Sequence, residues 1–104
     1  MSSNISVLIE NGIAKIDLNE RLDASNAPAF QEEMKKIIGQ NITSIVFNSQ
    51  KLEYISSAGL RVIIFAKQKL GEDAKIYMIG AKDVVLNVLK MSGLDNFMIL
   101  QDTF

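Results

Sequence analysis

The stretch Ile42 to Val62, ITSIVFNSQKLEYISSAGLRV, changes periodicity along its length and so decides how the chain is built. Ile42 to Asn48 is short, β-branched and bounded by polar residues, the pattern of a buried strand. Leu52 to Ser56 reads as a connector. From Ser57 to about Leu70 the pattern becomes helical, with Leu60, Ile63, Ile64 and Leu70 as the inward stripe and Gly71 as the stop. A buried strand that feeds a helix is the first half of a strand-helix-strand crossover, whose strands run parallel and whose hand is right.

The same grammar extends in both directions. Upstream, Ile5, Val7 and Ile9 alternate, and Ala14, Ile16 and Leu18 alternate after Asn11-Gly12, the strongest short signal for a β-hairpin. Asn19 to Asn26 is a polar loop. A helix follows with Pro28 near its start, Ala27, Phe30, Met34, Ile37 and Ile38 at helical spacing, and Gly39 as its end. Downstream, Lys75 to Ile79 reads as a strand ended by Gly80. Ala81 to Met91 reads as a helix with Val85, Val88 and Leu89 on one side and Gly93 beyond it, and Phe97 to Leu100 as a short last strand. The order β-β-α-β-α-β-α-β predicts a single α/β domain over residues 1–104, with one mixed β-sheet.

Composition narrows what such a domain can do. The 104 residues include no histidine and no cysteine, which excludes Ser-His and Cys-His nucleophile pairs, disulfides and imidazole or thiolate metal sites. Eleven basic and twelve acidic side chains leave a formal charge of -1, without the basic excess of a nucleic-acid footprint. No Gly-rich phosphate loop is present, and Glu32-Glu33 lie side by side on a wet helix face rather than converging. These features call for no cofactor and no metal. The longest purely apolar run, Val62 to Ala66, falls far short of the roughly 20 residues of a membrane helix. Met1 to Ile9 has neither the basic run nor the apolar length of a signal peptide. A cytoplasmic location, with no membrane and no nucleic-acid partner, is the expectation.

The chemistry that remains sits at the helix start. Ser56 or Ser57 suits a cap, its hydroxyl accepting a hydrogen bond from a free backbone N–H of the first turn. Ala58 and Gly59 keep that turn slim. A phosphoryl group on Ser57 would put close to two negative charges at the positive end of the helix dipole, so the fold would tolerate it while the surface changed. Local chemistry permits both a plain cap and a switch. Ser57, Arg61, Phe65 and Gln68, spaced four, four and three apart, make one oblique stripe. Phe65 can serve as a docking anchor or fold down onto the sheet, and Arg61 can meet a phosphate, a partner carboxylate or solvent. Asp23 suits a turn or cap ahead of the helix at Asn26, and Asn48 can order the loop before Ser57 by hydrogen bonding.

Asn48 to Val62, NSQKLEYISSAGLRV, resembles the signature of the STAS domain family, in particular the bacterial anti-sigma factor antagonists. The family pattern is a hydrophobic strand, Asp or Asn, a short loop, an aromatic, then Asp-Ser-Ser-Gly-Leu and an apolar helix. The resemblance extends to the opening hairpin, to Arg21-Leu22-Asp23 and to Met91-Ser92-Gly93-Leu94. It implies a STAS-like domain with its helices packed mainly on one face of the sheet. It also implies a protein that binds an anti-sigma factor which is also a serine kinase, is released when that kinase phosphorylates a serine at the helix start, and is reset by a serine phosphatase. The family's phosphorylated serine maps onto Ser57, with Ser56 as second choice. The family's acid maps onto Ser56 and its second serine onto Ala58, and both are departures. The implied partner surface comprises Asp23, Ser56, Ser57, Ala58, Gly59, Arg61 and Phe65. The missing acid at position 56 leaves room for a second expectation, a STAS scaffold subunit of a sensory or transport assembly that does not switch.

Overall fold

The computed structural model describes residues 5–104, and Met1 to Asn4, the start of the segment read for a leader, lie outside them. The hairpin forms as expected: β1 (Ser6–Glu10) and β2 (Ile13–Asp17) run antiparallel. Asn11 and Gly12 both take positive φ, 52° and 78°, as a two-residue turn matched to strand twist requires. After β2 come β3 (Arg21–Leu22), α1 (Ala27–Ile38), β4 (Ser44–Asn48), β5 (Tyr54–Ile55), α2 (Ser57–Leu70), β6 (Lys75–Ile79), α3 (Asp83–Ser92), a 3₁₀ turn (Leu94–Phe97) and β7 (Ile99–Gln101). The main sheet has the order β1-β2-β4-β6-β7, and every pairing except β1 with β2 is parallel.

The one-sided layering follows from that order. The crossovers through α1, α2 and α3 each step in the same direction across the sheet, so a constant right hand stacks all three helices on one face. Ala14 and Ile16 from β2, Ile45 and Phe47 from β4, and Ile76 and Met78 from β6 point to that face. They share one core with Phe30, Met34 and Ile37 of α1, Val62, Ile63 and Ala66 of α2, and Val85 and Leu89 of α3. At its centre the edge of one ring meets the other, Phe30 and Phe47 lying 5.8 Å apart at 69°. On the opposite face Lys15, Val46 and Tyr77 align across three strands, and Phe104 packs edge-on against Tyr77 at 4.9 Å.

Three expectations change. The polar loop Asn19–Asn26 and the connector Leu52–Ser56 each contain a two-residue strand, β3 and β5, and these pair in parallel as a second small sheet. Leu22 and Ile55 drive this pairing, because each drops into the core, at 2% and 3% exposure. On α2 the inward face is Gly59, Val62, Ile63 and Ala66. Leu60 and Leu70 are half-buried, and Ile64 is exposed at 37%. Ile63 keeps the inward place read for it, at 1% exposure, while Gly59, without a side chain, lets the helix come close to Leu22 and Ile55. At the end of the chain, Phe97 closes the 3₁₀ turn and the strand begins two residues later, at Ile99. No helix among the described residues is long and apolar enough to cross a membrane.

Candidate functional site

The α2 N-terminus is held by a stapled loop. Glu53 and Tyr54 both donate their N–H groups to the Glu20 carbonyl, at 2.7 and 3.2 Å, and the Ser56 N–H donates to the Leu22 carbonyl at 2.9 Å. Asn48 starts the loop as expected: its amide donates to Asp17 Oδ1 at 2.9 Å, and its Oδ1 accepts from the Gln50 N–H at 3.4 Å. Ser49 is fully buried, and its hydroxyl donates to the Phe47 carbonyl at 3.3 Å and contacts the Met78 sulfur. The strand end and the helix start are thereby tied to one frame.

Within that frame the two serines take different roles. Ser56 is the N-cap, in extended backbone, with its Oγ accepting from the Gly59 N–H at 3.4 Å. Ser57 is the first helical residue and is exposed. Ala58 is half-buried and Gly59 buried. Replacing Ser56 by alanine removes the cap and is expected to cost about 0.5–1 kcal/mol, the low end for a cap because the bond is long. Ser57→Ala is expected to change stability far less. Urea denaturation of both variants measures this, and the opposite ranking would reassign the cap.

Asp23 performs the turn role read for it. Its carbonyl accepts from the N–H groups of Asn26 and Ala27, at 3.2 and 2.8 Å, so it leads directly into α1. Its Oδ1 accepts from the Ser25 N–H at 3.0 Å and hydroxyl at 2.6 Å, and its Oδ2 pairs with Arg21 Nε at 3.1 Å. The Ser25 hydroxyl first, and then Arg21, hold the carboxyl below its ordinary pKa. Arg21 also stacks on the Tyr54 ring, 4.5 Å from its centre. Strand register puts Arg21 beside Tyr54, two residues before Ser56, and Tyr54 is 43% exposed. Neither residue was read as part of the site, because only the β3–β5 pairing brings them there.

The stripe on α2 shifts by one position. Ser57, Arg61 and Gln68 are exposed as expected, but Phe65 is half-buried against the core with Lys69 5.9 Å from its ring centre. Ile64 takes the outward place, so the exposed line is Ser57, Arg61, Ile64 and Gln68. Arg61 makes no ion pair among the described residues. Among the described residues there is also no cluster of His, Cys, Asp and Glu that could hold a metal ion.

Fold and site together define a small one-faced α/β domain that presents a serine hydroxyl at a helix start, on a loop fixed from both sides. The family model for the STAS domain matches residues 4–104, and the chain belongs to that family. The anti-sigma-F factor antagonist RsfB of Mycobacterium tuberculosis is 24% identical over 94 residues, covering 90% of this chain and 77% of the relative. An anti-sigma factor antagonist from Mycobacterium paratuberculosis superposes with a TM-score of 0.85 at 18% identity, over 100% of this chain and 92% of the other. The anti-sigma factor antagonist SpoIIAA in its unphosphorylated form gives 0.81 at 19% identity, over 92% and 86%. The phosphorylated form of Bacillus SpoIIAA gives 0.73 at 18%, over 92% and 89%. The STAS fold read from Asn48 to Val62, with its mixed sheet and three helices, is therefore the fold of this chain.

Proposed function

We propose that this chain is an anti-sigma factor antagonist, and that phosphorylation of Ser57 by its anti-sigma factor, acting as a serine kinase, switches it off. The observation that carries the choice of residue is the division of labour between the serines. Ser57 offers an exposed hydroxyl, while the Ser56 oxygen is engaged by the Gly59 N–H. The relatives named as antagonists, one of them described in a phosphorylated form, support the class of protein.

The kinase moves the γ-phosphoryl group of ATP to Ser57 Oγ, ADP leaves, and a base of the kinase takes the hydroxyl proton, since this chain has no histidine to do so. The dianion sits at the positive end of α2, so the helix survives. In a docked interface the same charge is desolvated, at a cost of about 3–5 kcal/mol, or roughly 10²-fold to several 10³-fold in affinity. A serine phosphatase restores the hydroxyl.

As a test, purified anti-sigma factors from the same genome are titrated with the chain and then supplied with ATP, and the phosphosite is mapped by mass spectrometry. The expected result is one phosphate on Ser57, none on Ser57→Ala, and loss of binding in Ser57→Asp. Phosphorylation that persists in Ser57→Ala but vanishes in Ser56→Ala would move the switch to Ser56. Because Ser56 stands where the family carries an acid, the second reading is a scaffold that does not switch. Binding of Ser57→Asp as tight as that of the parent chain would favour it.

A further inference from the structure

Beside Ser57 a groove of about 390 Å³ opens between α1 and α2. Small residues keep it open: Ala24 and Ala27 ahead of and at the start of α1, and Ala58 in the first turn of α2, leave a gap that longer side chains would close. Its floor is apolar, with Ala27 and Val62 at 6% and 2% exposure. On one rim stands Arg61, and on the other Gln31 and Glu32. Glu32 is held by Lys35 at 3.3 Å, whereas Arg61 has no ion-pair partner among the described residues. The uncommitted charge at this groove is therefore positive. An apolar floor under an unpaired guanidinium fits one kind of occupant, an apolar side chain with a carboxylate next to it.

Arg61 also lies four residues after Ser57, one turn along the same exposed line. A phosphate on Ser57 and a carboxylate arriving in the groove compete for the same guanidinium. Building on the reading of Ser57 as the phosphorylated residue, we propose that the α1–α2 groove seats an apolar side chain of the partner protein, whose neighbouring carboxylate pairs with Arg61. Phosphoserine at position 57 then draws Arg61 away from that carboxylate. The phosphate acts twice: it removes the cation the partner needs, and it leaves excess negative charge at the rim that faces the partner's acid. Arg61 is a positioning and specificity residue, and the phosphoryl transfer does not depend on it.

The experiment has two arms. In the first, with no partner present, phosphoserine is installed at position 57 during translation, and the Arg61 Nε–H resonance is followed by ¹⁵N NMR. Engagement by the phosphate is expected to shift that resonance and slow its exchange with water, and an unchanged Arg61 signal overturns the competition. In the second arm, affinity for the anti-sigma factor is measured for Ala58→Leu, which fills the groove from a half-exposed helical position, and for Arg61→Ala. Ala58→Leu is expected to bind at least tenfold more weakly with an unchanged melting temperature. Arg61→Ala is expected to bind about tenfold more weakly, and phosphorylation should then cost it correspondingly less than it costs the parent chain. Parental affinity in Ala58→Leu overturns the groove, and an equal phosphorylation penalty with and without Arg61 overturns the competition. Dimerisation of the chain that Ala58→Leu abolishes would make a second copy the occupant and overturn the assignment to a partner. If no anti-sigma factor phosphorylates Ser57, the reading of function fails by itself, while the first arm still decides whether Arg61 answers to a phosphate there.

Discussion

Phe47→Ala is expected to destabilise the domain by about 3–5 kcal/mol, the range for truncating a fully buried aromatic. Phe47 is 0% exposed on the central strand β4, pointing to the face that carries all three helices. Its ring lies 5.8 Å from Phe30 of α1, so truncation removes an aromatic pair as well as apolar burial. The site suffers with the core, because the next two residues, Asn48 and Ser49, begin the loop to Ser57, and the Phe47 carbonyl accepts the Ser49 hydroxyl. A small domain holds only about 5–15 kcal/mol of stability, so the variant should sit near the edge of folding, with its melting temperature down by roughly 15–30 °C. Phe47→Leu keeps most of the volume and is expected to cost less than about 1.5 kcal/mol. Tyr77→Ala on the opposite face, half-buried under Phe104, tests the layering. If thermal denaturation shows it to be as costly as Phe47→Ala, the core does not lie on the helix side alone.

The elements that build those two faces were legible from residue order, whereas the packing of the helices on one face was implied by the resemblance to the STAS family. Asn11-Gly12 announced its hairpin because only a turn with two positive φ values joins twisted strands so tightly, and Asn-Gly is the pair that tolerates them. Pro28 and the spacing of Phe30, Met34 and Ile37 placed α1, and the β-branched run before Asn48 placed β4. The β3–β5 pair was hidden because two residues carry no periodicity. Its partners are also 33 residues apart, Arg21 opposite Tyr54, and each stands in a stretch whose other residues read as loop. Tyr54 and Arg21 were missed at the site for the same reason. Ile64 departs from its inward reading for a different reason. Pattern reading sends the bulky apolar residues inward, whereas α2 approaches β3 through Gly59, and the close contact turns the helix so that Ile64 faces out. At the site, the serine pair could be found from sequence because a cap and a phosphoacceptor draw on the same short list of residues. Which of the two was engaged depended on a hydrogen bond, and that required coordinates.

The contact that turns α2 also supports the largest effect expected at the site itself, that of Gly59→Val. A Cβ at position 59 would lie 2.8 Å from both Leu22 Cγ and the Leu22 carbonyl oxygen, and 3.2 Å from Ile55 Cγ1. The side-chain atoms can yield a little. The Leu22 carbonyl cannot, because it is fixed by the Ser56 N–H at 2.9 Å within the small sheet that staples the loop. Alanine at a helical glycine normally gains about 1 kcal/mol from lower backbone entropy, yet overpacking costs about 1–3 kcal/mol, so Gly59→Ala is expected to be net destabilising. Valine adds two methyl groups against the same backbone and loses the helix-forming advantage, which places Gly59→Val at or beyond the upper end of that range. The relief available to the chain is to push β3 away from α2, and β3 carries Arg21 and leads into Asp23. Gly59→Val is therefore expected to lose partner binding under conditions where the variant is still folded, as read by circular dichroism alongside calorimetric titration. Ser56→Ala, which weakens the helix start without moving β3, should lose less affinity than Gly59→Val at comparable fractions folded. Should Gly59→Ala prove more stable than the parent chain, the close approach of α2 to β3 would be refuted, and with it the expected loss of binding in Gly59→Val.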